Sequence, residues 1–282
     1  MTKDKFLAIL LSTFVFFALV ALYPTPAKNS EPNYKKISEK VLPKKGFTLP
    51  VSWGDIGPKL IELGVIDLEK FEEAVPLTDA EEKILKEGGD IPIAITRENS
   101  QFVVDMLWAL GLAQKSLVYD EGPLGQEYKE DAGNFASTGG WTLAKEDALN
   151  YLNKFDLIPL TPEQQSRVAE IAKNVYRPCC GNSTWFPDCN HGMATLAAIE
   201  LLISKGYSDS EVYKEVLKLN SFWFPETYLT LAVYFQEKGT LWSRVDAKEA
   251  LGEAYSSAQG AARIYEEVGP LPSEIVGGSC GA

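Results

Sequence analysis

Residues 161–206 read TPEQQSRVAEIAKNVYRPCCGNSTWFPDCNHGMATLAAIELLISKG, and this stretch decides the fold. Thr161-Pro162-Glu163-Gln164 joins an N-cap, a proline at the first helical position and an amide that reaches back to the cap. The helix it opens is expected to run to about Tyr176, where Arg177-Pro178 ends it. A loop with Gly181, Asn182 and Pro187 follows. A second helix is expected from near Asn190 through Met193, Leu196, Ala197, Leu201 and Leu202 to Gly206, with Asp188 or Asn190 as its N-cap. Two antiparallel helices joined by about a dozen residues bring Cys179 and Cys180, at the end of one, to Cys189 and His191, at the first turn of the other.

Helix punctuation continues on both sides of this hairpin. Thr78-Asp79-Ala80-Glu81 is a capping box, and the helix it opens ends at Gly88-Gly89. Ser208-Asp209-Ser210-Glu211 is another, placed after Gly206 has closed the preceding helix. Pro225 opens a helix over Glu226–Glu237, closed by Gly239. Phe102, Val103, Met106, Leu107 and Leu110 share one face of a helix over Asn99–Gln114. Residues Leu143–Phe155 and Ala247–Tyr255 are further helix candidates. Strand signals are sparse: Ile91-Pro92-Ile93-Ala94-Ile95 is short and broken by proline, which limits it to an edge strand. Glu121–Gly140 gathers Gly and polar residues around Phe135–Trp141 and reads as a long ordered loop.

The chain has 282 residues, 45% of them hydrophobic, enough for a substantial packed core. Its net charge is −12; residues 1–27 carry +1, from Lys3, Asp4 and Lys5, which leaves −13 on the rest. No basic run interrupts this, so nucleic acid and anionic membrane surfaces are poor partners. Lys3 and Lys5 precede Phe6–Tyr23, eighteen residues without charge or proline. As a helix they span roughly 27 Å, close to the hydrocarbon thickness of a bilayer. The positive flank stays in the cytoplasm and the remainder is exported. Thr25-Pro26-Ala27 is a poor cleavage site, which favours an uncleaved signal-anchor over a cleaved signal. The expected organisation is residues 1–27 as membrane anchor or signal, 28–50 as a Pro-, Lys- and Ser-rich tether, and 51–282 as a helical extracytoplasmic domain.

Three of the four cysteines and the only histidine fall within residues 179–191. One reading is a metal site: Cys179, Cys180, Cys189 and His191 form a thiolate and imidazole set suited to zinc and, through its softness, to copper(I). An adjacent Cys-Cys pair is awkward for one tetrahedral ion, and Cys280 in the Gly-rich tail is a further donor. A second reading is structural. The compartment permits disulfides and the cysteine count is even, so bridges among Cys179, Cys180, Cys189 and Cys280 account for every cysteine without chemistry. A third is thiol–disulfide exchange, although no C-x-x-C is present. Beyond such a thiol centre no catalytic constellation stands out. Ser137 lacks a nucleophile elbow, Gly139-Gly140-Trp141 is no phosphate loop, and no carboxylate pair is distinct from helix-surface charge. Met193 and the cluster Phe222-Trp223-Phe224-Pro225 with Tyr228 read as core.

The string Tyr176-Arg177-Pro178-Cys179-Cys180 through Phe186-Pro187-Asp188-Cys189-Asn190-His191-Gly192-Met193 resembles the signature of an uncharacterised family of exported prokaryotic proteins. Residues Leu107–Leu112, Phe135–Trp141, Phe222–Pro225 and the Gly-Gly-x-Cys tail extend that resemblance along most of the chain. It implies no particular activity. Residues near 168–217 alone resemble the cysteine hairpin of CcmH-type cytochrome c maturation proteins and of exported proteins with a Pro-Cys-Tyr-Cys-Gly-Cys motif. CcmH-type proteins carry C-x-x-C where this chain has Cys179-Cys180, so the likeness implies a hairpin more than a thiol-reductase role.

The sequence thus predicts a mainly α protein, a helical domain around a Cys/His-bearing hairpin, preceded by one N-terminal transmembrane helix. The expected function is a membrane-tethered, extracytoplasmic binder of copper or zinc. The full-length chain is expected to stay in the membrane fraction through a high-salt wash. A soluble product lacking residues 1–27 would show that the segment is a cleaved signal.

Overall fold

The computed structural model describes residues 32–272 and 275. The expected anchor, 1–27, and Cys280 lie outside the described residues. Among those described, no helix is long and apolar enough to cross a membrane. The elements below lie in one compact unit that begins at Tyr34.

That unit is mainly helical. Helix α1 (Tyr34–Val41) leads into strand β1 (Phe47–Gly54). Helices α2 (Ile56–Glu62), α3 (Leu68–Ala74) and α4 (Asp79–Lys86) follow, then strand β2 (Gly89–Ile95). Next come α5 (Ser100–Ala113), the short α6 (Leu117–Glu121) and a long segment with two 3₁₀ turns, Lys129–Asn134 and Ala148–Asn150. The C-terminal half contains α7 (Pro162–Ala172), α8 (Asn190–Ser204), α9 (Asp209–Trp223) and α10 (Pro225–Glu237). Short α11 (Ala247–Ala250) and α12 (Glu253–Ser256) precede α13 (Ala258–Val268). Strands β1 and β2 form one antiparallel ribbon, with Phe47 opposite Ile95 and Gly54 opposite Gly89.

The caps act where the sequence places them. Thr78, Thr161 and Ser208 each complete a capping box. Gly88, Gly206 and Gly239 take positive φ just past their helices, a conformation that costs glycine nothing. Four expectations are corrected. Residues 34–50, read as tether, form α1 and the first half of β1; Ile37 and Val41, one helical turn apart, are buried in the core. The helix from Thr161 ends at Ala172, not Tyr176, because Val175 and Tyr176 turn extended: Val175 accepts from Thr184 N–H, and Tyr176 N–H donates to Leu251. Leu143–Phe155 is mostly irregular. Its carbonyl and amide groups bond elsewhere, Leu143 O to Asp67 N and Lys145 N to Gly64 O, and Asn153 sits at φ 57°. Ala247–Tyr255 breaks into two short helices at Gly252.

Helices α5 and α8 form the most extensive helix pair and are buried almost all round. Gly111 makes the approach possible: a Cβ there would meet the Met193 carbonyl oxygen at 2.3 Å. Helix α8 also packs on α7 and α9, which puts its N-terminus beside the cysteine loop.

Helix α8 carries Glu200 in this apolar setting, with no exposed surface and no hydrogen-bond partner for either carboxylate oxygen. Burial pushes its pKa from 4.5 up to about 8. The folded state therefore keeps a proton that the unfolded state releases. Stability contributed this way is full below pH 4.5 and falls as pH rises toward 8. The loss is on the order of 4 kcal/mol. Glu200→Gln should remove it. The variant is expected to match the native chain at pH 5 and to exceed it at pH 8 in urea unfolding; parallel pH profiles would refute this.

Candidate metal centre

The loop between α7 and α8 is built around one buried cation. Arg177 has no exposed surface, and its guanidinium reaches four separate points of the loop. Nε donates to Cys189 Sγ at 3.0 Å and Nη1 to the Asn182 carbonyl at 3.1 Å. Nη2 donates to the Phe186 carbonyl at 3.0 Å and to Asp188 Oδ1 at 2.5 Å. The other oxygen of Asp188 accepts from Asn182 Nδ2 at 2.8 Å. A rigid planar fork can serve several acceptors at once in this way. Gly192 leaves the space: a Cβ there would come within 2.6 Å of the guanidinium carbon.

Cys189, rather than Asp188 or Asn190, is the N-cap of α8, and its sulfur accepts from the Gly192 N–H at 3.4 Å. It thus receives a charged donor from Arg177 and a helix-terminal amide, both of which favour thiolate. Cys179 and Cys180 arrive from the other side. The chain turns after Pro178, with Cys180 N–H donating to the Arg177 carbonyl at 3.4 Å and the Cys180 carbonyl accepting from Ala258 N–H at 2.9 Å. This turn aims both neighbours at Cys189, so adjacency does not keep either out. Cys179 Sγ lies 3.3 Å from Cys189 Sγ. The sulfurs of Cys179, Cys180 and Cys189 all stand within 4.8 Å of one another. Sulfurs held at ~2.3 Å from one ion stand about 3.8 Å apart in a tetrahedral site and about 4.0 Å apart in a trigonal one. The Cys179–Cys189 distance is shorter than either value and the 4.8 Å limit is longer, so a small adjustment reaches them, and the three cysteines could hold a metal ion. Among the described residues these three cysteines are unbridged.

The three thiols titrate as a unit, and the proton distribution is uneven. Hydrogen bonds from Cys179 and Cys180, then the Arg177 charge, hold Cys189 well below the usual thiol value against its burial. Contact with Cys180 and Cys189, together with burial, raises Cys179. The Cys179 hydrogen bond pulls Cys180 down, but Cys189 and burial prevail and raise it to about 11. The site at rest is therefore one thiolate sharing two protonated neighbours.

His191 stands outside the three-sulfur set. It is 5% exposed, and its ring packs 4.5 Å from Phe224 and 5.8 Å from Trp223, centroid to centroid. Its Nε2 is buried without a partner, and burial lowers its pKa to about 4, with the charge on Cys189 pulling the other way. It is a neutral imidazole in the wall beside the cysteines. Met193, Phe222, Trp223 and Tyr228 are core, as their pattern predicts.

The outer wall comes from the long ordered segment. Tyr128 stacks on Phe186 with centroids 5.2 Å apart, and Phe135 packs edge-on against the same ring. Ser137 N–H donates to the Asp188 carbonyl at 3.2 Å, and Trp108 Nε1 holds the Ser137 carbonyl at 2.6 Å. Arg177, the residue on which the loop depends, is one that sequence reading took only for a helix end. Its signal was the pairing of an arginine before Pro-Cys-Cys with a glycine in the first turn of the next helix.

The chain matches no family model, no curated protein and no solved structure. The site's chemistry rests on its own geometry.

Arg177→Lys keeps the charge but loses the fork. Lysine cannot reach the Cys189 sulfur, two carbonyls and the Asp188 carboxylate together, so the variant is expected to lose about 3–5 kcal/mol in urea unfolding. The ultraviolet absorbance of the Cys189 thiolate should also appear at higher pH. An unchanged midpoint and an unchanged thiolate titration would show that the guanidinium does not organise the loop.

Proposed function

We propose that this protein binds a soft metal ion, copper(I) or zinc, through Cys179, Cys180 and Cys189, outside a membrane to which its N-terminal segment tethers it. The observation that carries the reading is the convergence of three unbridged sulfurs on one point, one of them kept as thiolate by Arg177 and the start of α8. Thiolates are the ligands that soft ions select. A disulfide framework needs partners at bonding distance and gains nothing from a buried arginine against sulfur. Metal handling fits better, with the ion as cargo. The tether and the outward location rest on the apolar run Phe6–Tyr23 and its basic flank.

Full-length protein made without a purification tag is expected to take up one equivalent of copper(I) under anaerobic conditions, or of zinc. Replacing the three cysteines by serine should abolish uptake and leave the circular dichroism unchanged. His191→Gln should retain it. A preparation that binds neither ion and shows no free thiols would establish disulfides in place of a metal site.

A further inference from the structure

The three sulfurs are held to very different degrees, and that difference gives the site a direction. Cys189 is fixed twice at the sulfur, by Arg177 Nε and by the Gly192 amide, and its backbone carbonyl accepts from Met193 N–H in α8. Cys180 is fixed through the backbone on both sides, by the Arg177 carbonyl and the Ala258 amide. Its sulfur leans inward on Asp188 Oδ1 at 3.6 Å and the Asn182 carbonyl at 3.9 Å. Both are half-buried. Cys179 is exposed, and among the described residues its hydrogen-bond-range contacts are those its sulfur makes within the cluster. Pro178 supplies no N–H to anchor the preceding bond.

We propose that Cys179 is the exchange ligand of this site, through which a bound soft ion passes to a thiol-bearing acceptor. This rests on the metal-binding reading. An acceptor thiol approaches the exposed side and loses its proton, and its thiolate forms a bond to the ion. The bond from the ion to Cys179 Sγ breaks, and Cys179 takes up a proton. The ion keeps its oxidation state, and the number of sulfur ligands is conserved. Cys180 and Cys189 hold the ion through this step, because their sulfurs cannot move without disturbing the Arg177 network. Further acceptor thiols then displace them in the same way, each losing its proton as it binds. One proton is taken up by Cys180 and the others are released to water, while Cys189 remains thiolate. Rigid ligands behind and one loose ligand in front suit delivery better than permanent storage. The acceptor class is a thiol, since only a donor as soft as the one displaced competes for such an ion.

The test uses the full-length chain in detergent, loaded anaerobically with one equivalent of copper(I). Brief iodoacetamide treatment with peptide mapping reads each cysteine with and without the ion. Loading is expected to protect Cys180 and Cys189 at least about tenfold more than Cys179, since a thiol that leaves the ion transiently is the one alkylated. Cys179→Ser should still hold its ion through dialysis, yet give it up to glutathione about tenfold faster, the outgoing ligand being already absent. Cys189→Ser should fail to hold the ion. Equal protection of all three cysteines, or Cys179→Ser losing its ion in dialysis as Cys189→Ser does, overturns the proposal and leaves metal binding standing. A native chain that takes up no copper overturns both.

Discussion

A guanidinium with no access to water holds the whole cysteine loop in place. Burying Arg177 is costly, and the cost is met by the Asp188 carboxylate, two backbone carbonyls and a sulfur that is thereby kept ionised. Each of these partners is needed by the others. Without Asp188 the cation is under-compensated. Without the cation, Cys189 loses its charged donor and has only the neighbouring thiols and the Gly192 amide to favour ionisation. The position of Gly192 follows from the same demand, since any side chain there would occupy the guanidinium's place. Burial disfavours the charged arginine, yet the Cys189 thiolate beside it more than restores it, so its pKa is raised. The loop's conformation and the electronic state of its sulfur therefore have one cause.

Most of the helical scaffold was legible from local chemistry. Thr78, Thr161 and Ser208 cap where their side chains and the reaching Glu or Gln demand, and the glycines that end helices take the left-handed conformation that marks them. What failed depends on distant partners. Phe47–Gly54 lacks a strong strand pattern because Pro50 interrupts it; pairing with β2, itself carrying Pro92, makes it a strand. The segment Leu143–Phe155 has apolar spacing suited to a helix. Its backbone groups instead join Gly64, Asp67 and Ala113, residues far away in sequence, and no window reading could weigh those bonds.

The site was legible in a different way. Clustering of cysteines along the sequence identified the donors, because sequence neighbours across a short loop cannot be far apart. Arg177 was not identified, because an arginine before proline at a helix end is ordinarily a solvated residue. The identity of the N-cap was also hidden: cysteine is not among the preferred caps, and the charge favoured by its thiol neighbours and Arg177 makes its sulfur a better acceptor. His191 shows the converse. Proximity along the chain suggested a ligand, but the second residue of α8 points its ring among Phe224 and Trp223, where burial keeps it neutral.

The order of events at such a site follows from where its stability comes from. In small zinc domains the ion is the core, and binding and folding are one process. Here the apolar core around α5 and α8 is complete without an ion, and the loop is already shaped by Arg177 and braced by Phe135, Phe186 and Ser137. Were an ion to bind as proposed, its affinity would not be reduced by the cost of ordering this loop, because Arg177 and the wall already hold the three sulfurs together. The converse also holds for the proposed ion: with an apolar core of its own, the fold would not depend on it. A site whose ligand can come and go without unfolding the protein is suited to carrying an ion, and one loosely held sulfur at the surface, beside two that are fixed, is the least rearrangement that lets it do so.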